Sequence, residues 1–248
     1  MRQCSVCHGE FPNFMPLPTI YVDMFRKLGV SYSLDDFETL NVGQYSCPSC
    51  QASDRDRLYA LFIHRHLGWE GERMRILDIA PAPALSRFLR NLPEVDYRSC
   101  DLMSPRADDK VDITDMPYED GRFDFIVCSH VLEHVADDAK AISELYRVLS
   151  PGGVAILMVP ILMTATDTDE DPQVTDVNER WRRFGQDDHI RMYAKDDFIQ
   201  RLQAGGFALQ LLDRHAFAEG DFKQHGIGEG AVLYLGLKPE AAPGEVQS

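Results

Sequence analysis

Residues 111–160, VDITDMPYEDGRFDFIVCSHVLEHVADDAKAISELYRVLSPGGVAILMVP, decide the fold of this chain. Within them, residues 123–129 and 154–159 are short apolar runs, the pattern of strands buried on both faces of a parallel sheet. Between the runs, Ala139, Ile142, Leu145, Tyr146 and Leu149 recur at steps of three and four, which lays one apolar stripe along a helix. Pro151-Gly152-Gly153 is expected to close that helix, since proline cannot continue it and glycine reverses the chain. Upstream, RILDIAPAPALSRFL (residues 75–89) runs from another apolar strand, residues 76–80, straight into a second helix. Strand, helix, strand alternation describes crossover units on a doubly wound α/β sheet, and such sheets take ligands at the carboxyl ends of their strands.

Carboxylates fall at those ends. Asp78 lies in the first of these strands, and Asp101 follows a probable second strand, residues 95–100, at a spacing of 23 residues. A carboxylate about 20 residues on suits hydrogen bonds from a ribose diol, the alternative being that Asp101 caps a turn.

ILDIA, Asp101, VDITDMPY, FDFIVCSHVLEHV and LYRVLSPGGVAIL follow one another in an order and spacing that resemble the class I S-adenosylmethionine-dependent methyltransferases, in the branch with an LEH motif after the fourth strand. The resemblance implies an α/β fold with a Rossmann-like seven-stranded methyltransferase sheet, S-adenosylmethionine as cofactor and methyl transfer as activity. It implies cofactor contacts from Asp78, Ala80, Pro81, Asp101, Leu102, Asp112, Ile113, Ser129 and His130. Asp112 and Ile113 would flank the adenine, and Ser129 and His130 the methionine moiety. One departure stands out. Where the family has a glycine-rich first turn, this chain has Ala80-Pro81-Ala82-Pro83-Ala84, whose prolines lack N–H donors, although Pro83 suits the first turn of the following helix.

His130 to His134 also spell H-x-x-E-H, a zinc-protease pattern. That signature needs both histidines on one face of an established helix, whereas His130 is expected at a strand end, so a positional role near the methyl site is the better expectation.

The amino-terminal part carries a second signal. Cys4-x-x-Cys7 and Cys47-x-x-Cys50 are two pairs whose spacing lets both sulfurs of each face one ion, with 39 residues between the pairs. Four thiolates close the coordination shell, so a zinc there is expected to be structural and to staple a small zinc-binding lobe. His8 is a possible substitute ligand, or a solvated neighbour. After the second pair, Ser53 and Asp56 form a capping box for a helix whose buried stripe is Leu58, Leu61, Phe62 and Leu67. CPSCQASDRDRL (residues 47–58) resembles a bacterial subgroup of zinc-containing methyltransferases. Arg55 and Arg57 are candidates to bind an acidic group at the cleft, with pairing to Asp54 and Asp56 as the alternative.

RFGQDDHIRMY (residues 183–193) resembles a motif that this subgroup places ahead of its penultimate helix. The preceding residues 164–182 are acidic and long for a connection, which suits a lid above the donated methyl. His189, Arg191 and Tyr193 become candidates to hold the acceptor together with His130, and His189 the natural general base by its ordinary pKa.

The expected organisation is a zinc-binding lobe and leading helix over residues 1–70, a methyltransferase domain over 71–238 with a lid or substrate insertion at 160–194, and a disordered tail over 239–248. A net charge of −15 opposes nucleic-acid binding and an anionic membrane surface, and no apolar run approaches the length of a membrane span. With no hydrophobic leader ahead of the cysteines, a cytoplasmic location is expected. The expected reaction is displacement of the sulfonium methyl by an oxygen or nitrogen of a small-molecule or saccharide-like acceptor, which needs alignment and proton removal but no metal. A ribosomal RNA base methyltransferase with a zinc module, and a noncatalytic binding protein, are the alternatives.

Overall fold

The computed structural model describes residues 1–67 and 73–240; the expected domain boundary at 70/71 and residues 241–248 of the expected tail lie outside the described residues. A seven-stranded sheet forms the centre. Its strands are β1 (Met74–Ile79), β2 (Val95–Asp101), β3 (Asp109–Lys110), β4 (Phe123–Ser129), β5 (Leu149–Met158), β6 (Ala208–Leu212) and β7 (Leu233–Leu237). Their spatial order is β3-β2-β1-β4-β5-β7-β6, parallel except for β7, which runs antiparallel to both β5 and β6. The helices are α1 (Thr19–Leu28), α2 (Asp54–His66), α3 (Pro83–Arg90), α4 (Asp138–Val148), α5 (Val177–Phe184), α6 (Lys195–Ala204) and α7 (Asp221–His225). α2 packs with α3 and α7, α4 with α6, and α1 with α5.

The chain leaves β1 toward β2 on one side and returns to β4 on the other, so strand order reverses between β1 and β4 and opens a crevice at their carboxyl ends. Each of these two ends turns through a non-glycine residue in the left-handed region, Ala80 at φ 50° and His130 at φ 56°. Their N–H groups are held by the next strand over, Ala80 by the Cys100 carbonyl and His130 by that of Met158, both at 2.8 Å. A left-handed L residue costs about 1 kcal/mol or more, and such strain persists where neighbours over-determine it. Pro83 occupies the first turn of α3, where its missing N–H has no helical partner to lose.

One boundary differs from expectation. α4 ends at Val148 and Leu149 is already extended, pairing with Phe123, while Phe125 pairs with Val154. Pro151-Gly152-Gly153 therefore lies inside the irregular start of β5 and not at the helix end. Glycine is required there sterically: a Cβ on Gly153 would lie 2.8 Å from the Ser150 carbonyl oxygen.

The amino-terminal lobe is joined to the sheet by α2. Its capping box forms as expected, Ser53 and Asp56 exchanging hydrogen bonds with each other's backbone N–H at 2.8 and 3.2 Å. Leu58, Leu61 and Phe62 are buried in the core that is continuous from Cys4 to Leu235. Arg57 is fully buried and meets neither sequence expectation. Its guanidinium donates to the carbonyls of Gln44, Tyr45, Ala52, His225 and Gly226, and lies 3.8 Å from the Phe14 ring centroid. Five carbonyl dipoles stand in for a counter-ion and tie three loops to one helix. Arg57→Ala, which orphans all five, is expected to destabilise the fold by about 3 kcal/mol or more, read as a lower urea midpoint. A loss under about 1 kcal/mol would refute this clamp.

Asp78 is 1% exposed beneath Tyr97, whose hydroxyl donates to it at 2.6 Å. Burial pushes its carboxyl up to about 7 from an ordinary 3.8, the Tyr97 hydrogen bond only partly opposing. A raised folded-state pKa means stability present below about pH 4 and lost as pH rises to about 7. In Asp78→Asn this pH dependence, on the order of 4 kcal/mol, should vanish from denaturant midpoints measured across that window; an unchanged slope would show that Asp78 ionises freely in the folded protein.

Candidate functional site

Two adjoining cavities lie above the strand ends. The first, about 360 Å³, sits in the β1/β4 crevice and is walled by Asp78, Ile79, Ala80, Val127, Ser129 and His130 from the sheet, by Ala82 to Leu85 at the start of α3, and by Cys50, Gln51, Ser53 and Asp56 from the lobe. The second, about 280 Å³, is lined by Leu17, Tyr21, Phe25 and Phe37 of the lobe, by Val159 to Ile161 beyond β5, and by Phe184 to Gln186, Asp188 and His189. Tyr45, Arg55 and His130 line both cavities and are the wall common to them.

Of the residues expected from sequence to contact a cofactor, Asp78, Ala80, Ser129 and His130 share the first wall. Ser129 is fixed there by a 2.8 Å hydrogen bond with the Tyr59 hydroxyl. Pro81 is half-buried and lines neither cavity. Asp101, the last residue of β2, and Leu102 just past it also line neither, nor do Asp112 and Ile113 beyond β3. Asp101 Oδ1 accepts from the Met103 and Ser104 N–H groups at 2.6 and 2.7 Å, the turn-capping role, while Oδ2 has no hydrogen-bond partner among the described residues. Leu102 is 49% exposed and Ile113 is buried. Asp112 accepts from the Thr114 backbone and hydroxyl, which hold its carboxyl below the usual range.

The acceptor-side expectations need correction. Arg191 is 3% exposed, and its donors are used on Glu170 and on the carbonyls of Leu132, Val135 and Ala136. Tyr193 is fully buried and donates to Asp138 at 2.6 Å. Neither reaches a cavity, so both brace the loop after β4 instead of touching an acceptor. Residues 164–182 are also not a plain loop: Asp169–Glu170 pairs with Arg191–Met192, and α5 begins within them. His189 does line the second cavity, but burial pushes its imidazole down to about 4, so the ordinary pKa that made it a base at neutral pH does not hold. His130 is likewise pushed well down by burial and by the Arg55 charge, and burial pushes the Glu133 carboxyl up to about 8.

Sequence reading left Arg55 open. It is half-buried at the wall of both cavities; its backbone N–H donates to Asp54 Oδ1 at 2.9 Å, and its guanidinium makes no hydrogen bond or ion pair among the described residues. Burial opposes its charge, but Tyr45, Tyr59, Asp56 and Asp54 around it more than offset this and raise its pKa. The aromatic lining from Tyr21, Phe25, Phe37 and Tyr45 was not foreseen; the clustering of aromatics in residues 21–45 was the available signal.

The four lobe cysteines are free thiols whose sulfurs all lie within 4.8 Å of one another. Cys4 and Cys50 are 3.7 Å apart, Cys7 and Cys47 3.8 Å. A tetrahedral zinc with bonds of about 2.3 Å sets its sulfurs about 3.8 Å apart, so the donor set fits. The two turns are also built alike. In each, the first cysteine's carbonyl accepts from the residue four on, His8 or Gln51, which is left-handed, and its N–H donates to the carbonyl five on, Gly9 or Ala52. His8 stays outside the cluster, beside His64.

A family model described as a methyltransferase domain matches residues 52–212. A probable S-adenosylmethionine-dependent methyltransferase of Mycolicibacterium smegmatis is 35% identical over 89 residues, 34% of this chain and 35% of that protein. The tocopherol O-methyltransferase of Arabidopsis thaliana is 45% identical over 47 residues, 19% of this chain and 14% of that protein, and the ajmaline N-methyltransferase of Rauvolfia serpentina 43% over 47 residues, 19% and 16%. The matched stretch thus spans about a third or less of each curated relative. Among solved structures, an S-adenosylmethionine-dependent methyltransferase from Mesorhizobium loti aligns at TM-score 0.50 and 16% identity over 73% of this chain and 97% of that one. The 4+2 cyclase SpnF aligns at 0.50 and 19% over 92% and 100%, a likeness of fold alone. With the family model covering more than half of its length, and the 3-2-1-4-5-7-6 sheet beneath the cleft, the chain belongs to the methyltransferase-domain family.

Proposed function

We propose that the chain is an S-adenosylmethionine-dependent methyltransferase that binds its cofactor in the β1/β4 crevice and methylates an oxygen or nitrogen of a small-molecule or saccharide-like acceptor in the adjoining cavity. The observation that carries this reading is the wall of Tyr45, Arg55 and His130 common to the two cavities, which sets a group bound in one beside a group bound in the other. Bound there, the cofactor would supply an electrophilic sulfonium methyl. The chain's own residues supply placement. Ala80 and the start of α3 present small side chains and bare backbone to the crevice, a surface that lets a ligand lie close despite the prolines. Asp101 Oδ2, at the end of β2, and Asp112, two residues past β3, line neither cavity but belong to the strands next in order to β1, and they are assigned as the acceptors for the ligand's ribose and adenine. The second cavity pairs an aromatic lining with the uncommitted Arg55 guanidinium, a combination that suits an acceptor with an apolar or sugar-like body and an anionic group.

A cavity of about 280 Å³ walled partly by Glu133 and Asp188 favours this over a polynucleotide, whose phosphates the −15 charge would repel. We further propose a structural zinc on Cys4, Cys7, Cys47 and Cys50, and a reducing, cytoplasmic setting that keeps those thiols available.

Calorimetry with S-adenosylmethionine and S-adenosylhomocysteine is expected to show binding of both, weakened about 10- to 100-fold in Asp101→Ala, the loss of a hydrogen-bonded charged acceptor. Failure of either ligand to bind at millimolar concentration would leave a noncatalytic binding protein as the surviving reading. For the lobe, cobalt substitution should give the intense near-ultraviolet thiolate-to-metal band, abolished in Cys47→Ser; a wild-type spectrum without that band rules the cluster out as a thiolate site.

A further inference from the structure

The H-x-x-E-H residues form no α-helix, so the protease arrangement is absent: His130 follows β4 and Leu132–His134 is a single 3-10 turn. They nevertheless converge with a histidine from a distant segment. We propose that Glu133, His134 and His189 form a site for a divalent first-row metal ion at the wall of the acceptor cavity, with His130 beside it and an open position facing the cavity.

Three observations point to a ligand. The first is the distribution of unsatisfied groups. Among the described residues, the buried side-chain polar atoms with no hydrogen-bond partner are Glu133 Oε1, Glu133 Oε2 and His189 Nε2, all in this one cluster. Glu133 is 0% exposed and His189 2%. Buried polar atoms are satisfied almost everywhere in native proteins, so three on one point mark a missing partner.

The second is the orientation of the imidazoles. His189 Nδ1 lies 2.9 Å from the Phe184 carbonyl and His134 Nδ1 3.3 Å from that of Asp188. A carbonyl can only accept, so each Nδ1 carries the proton and each Nε2 keeps its lone pair. Those lone-pair atoms lie 3.9 and 4.0 Å from Glu133 Oε1. Such distances are too long for a hydrogen bond, yet match two ligands of a common ion with bonds of about 2.1 Å, whose donors stand about 3 to 4 Å apart. An imidazole whose outer nitrogen is anchored by a carbonyl is the usual companion of a metal bond on the inner one. His130 Nδ1 lies 3.4 Å from the same carboxylate oxygen but stands outside the three-residue donor group, so it borders the site without completing it.

The third is rigidity. The Ile190 N–H donates to the Glu133 carbonyl at 3.0 Å, and Arg191 clamps the carbonyls of Leu132 and Val135 at 2.9 Å, fixing the two ligand-bearing segments against each other. This gives the buried Arg191 its purpose as a positioning residue.

Imidazole and carboxylate donors suit manganese, iron or zinc, and distinguish this site from the all-sulfur cluster of the lobe. Resting on the proposed methyl transfer, the open position would take an oxygen of the acceptor, which makes a hydroxyl-bearing acceptor the better substrate class and revises the expectation that no metal is needed.

The test is Mn2+ titration of protein carrying one zinc per chain by metal analysis, with that zinc lost in Cys47→Ser and so assigned to the thiolate cluster, followed by electron paramagnetic resonance and by thermal unfolding. Manganese avoids thiolates, so the lobe does not interfere. Wild type is expected to bind about one ion per chain with a rise in Tm, and Glu133→Gln to weaken binding at least about tenfold. His134→Ala, at a side chain 34% exposed, should do the same with little effect on folding. No bound Mn2+ at millimolar concentration, or undiminished affinity in both variants, overturns the site. S-adenosylhomocysteine calorimetry on the same samples separates the two proposals. Cofactor binding preserved in Glu133→Gln while Mn2+ binding is lost supports the metal site, whereas Mn2+ binding without cofactor binding removes only the transferase reading.

Discussion

The first turn of α2 is the constraint on which the rest of the molecule turns. Ser53 and Asp56 lock its rotation through the capping box, and that rotation sends two arginines two positions apart in different directions. Arg57 goes into the lobe, where five carbonyls receive it. Arg55 goes to the wall common to the two cavities. A slip of two residues in the helix start would bring one arginine to the other's position. Burying a guanidinium without a carboxylate is tolerable because its flat fork can reach several carbonyls at once, which a lysine ammonium cannot do with the same geometry.

Around the strand ends, backbone strain and buried ionisable groups occur together. The left-handed Ala80 and His130 follow the two central strands, and Asp78, Glu133 and His189 are ionisable groups held near their neutral forms by burial. Elsewhere the acidic chain satisfies its charges with arginine, as in the Glu170, Arg191, Arg201 and Asp138 network behind the site. The contrast separates a framework in which polar groups are paired from a site in which they are left open for a ligand.

What was legible in the sequence follows from period and chemistry. The apolar runs of β1, β4 and β5 and the Ser53 capping box are local patterns, and they appear where the residues place them. Pro151-Gly152-Gly153 misled because breaking residues serve an irregular strand start as well as a helix end, and only the pairing of Leu149 with Phe123 decides between them. Arg191 and Tyr193 misled for a different reason. Polar side chains in a long insertion read as acceptor ligands, whereas their partners, Leu132, Val135 and Asp138, lie more than fifty positions earlier in the chain. Long-range convergence also hid the link between Glu133, His134 and His189, since a motif read along one helix could not show a carboxylate meeting a histidine across the cavity.

Cys50 and Gln51 belong both to the cysteine cluster's second turn and to the wall of the cofactor crevice. Should the thiolates hold a metal and the crevice a ligand, any energetic coupling through this shared wall would act equally in both directions. The same wall makes the crevice a route by which a small oxidant would meet the Cys50 sulfur.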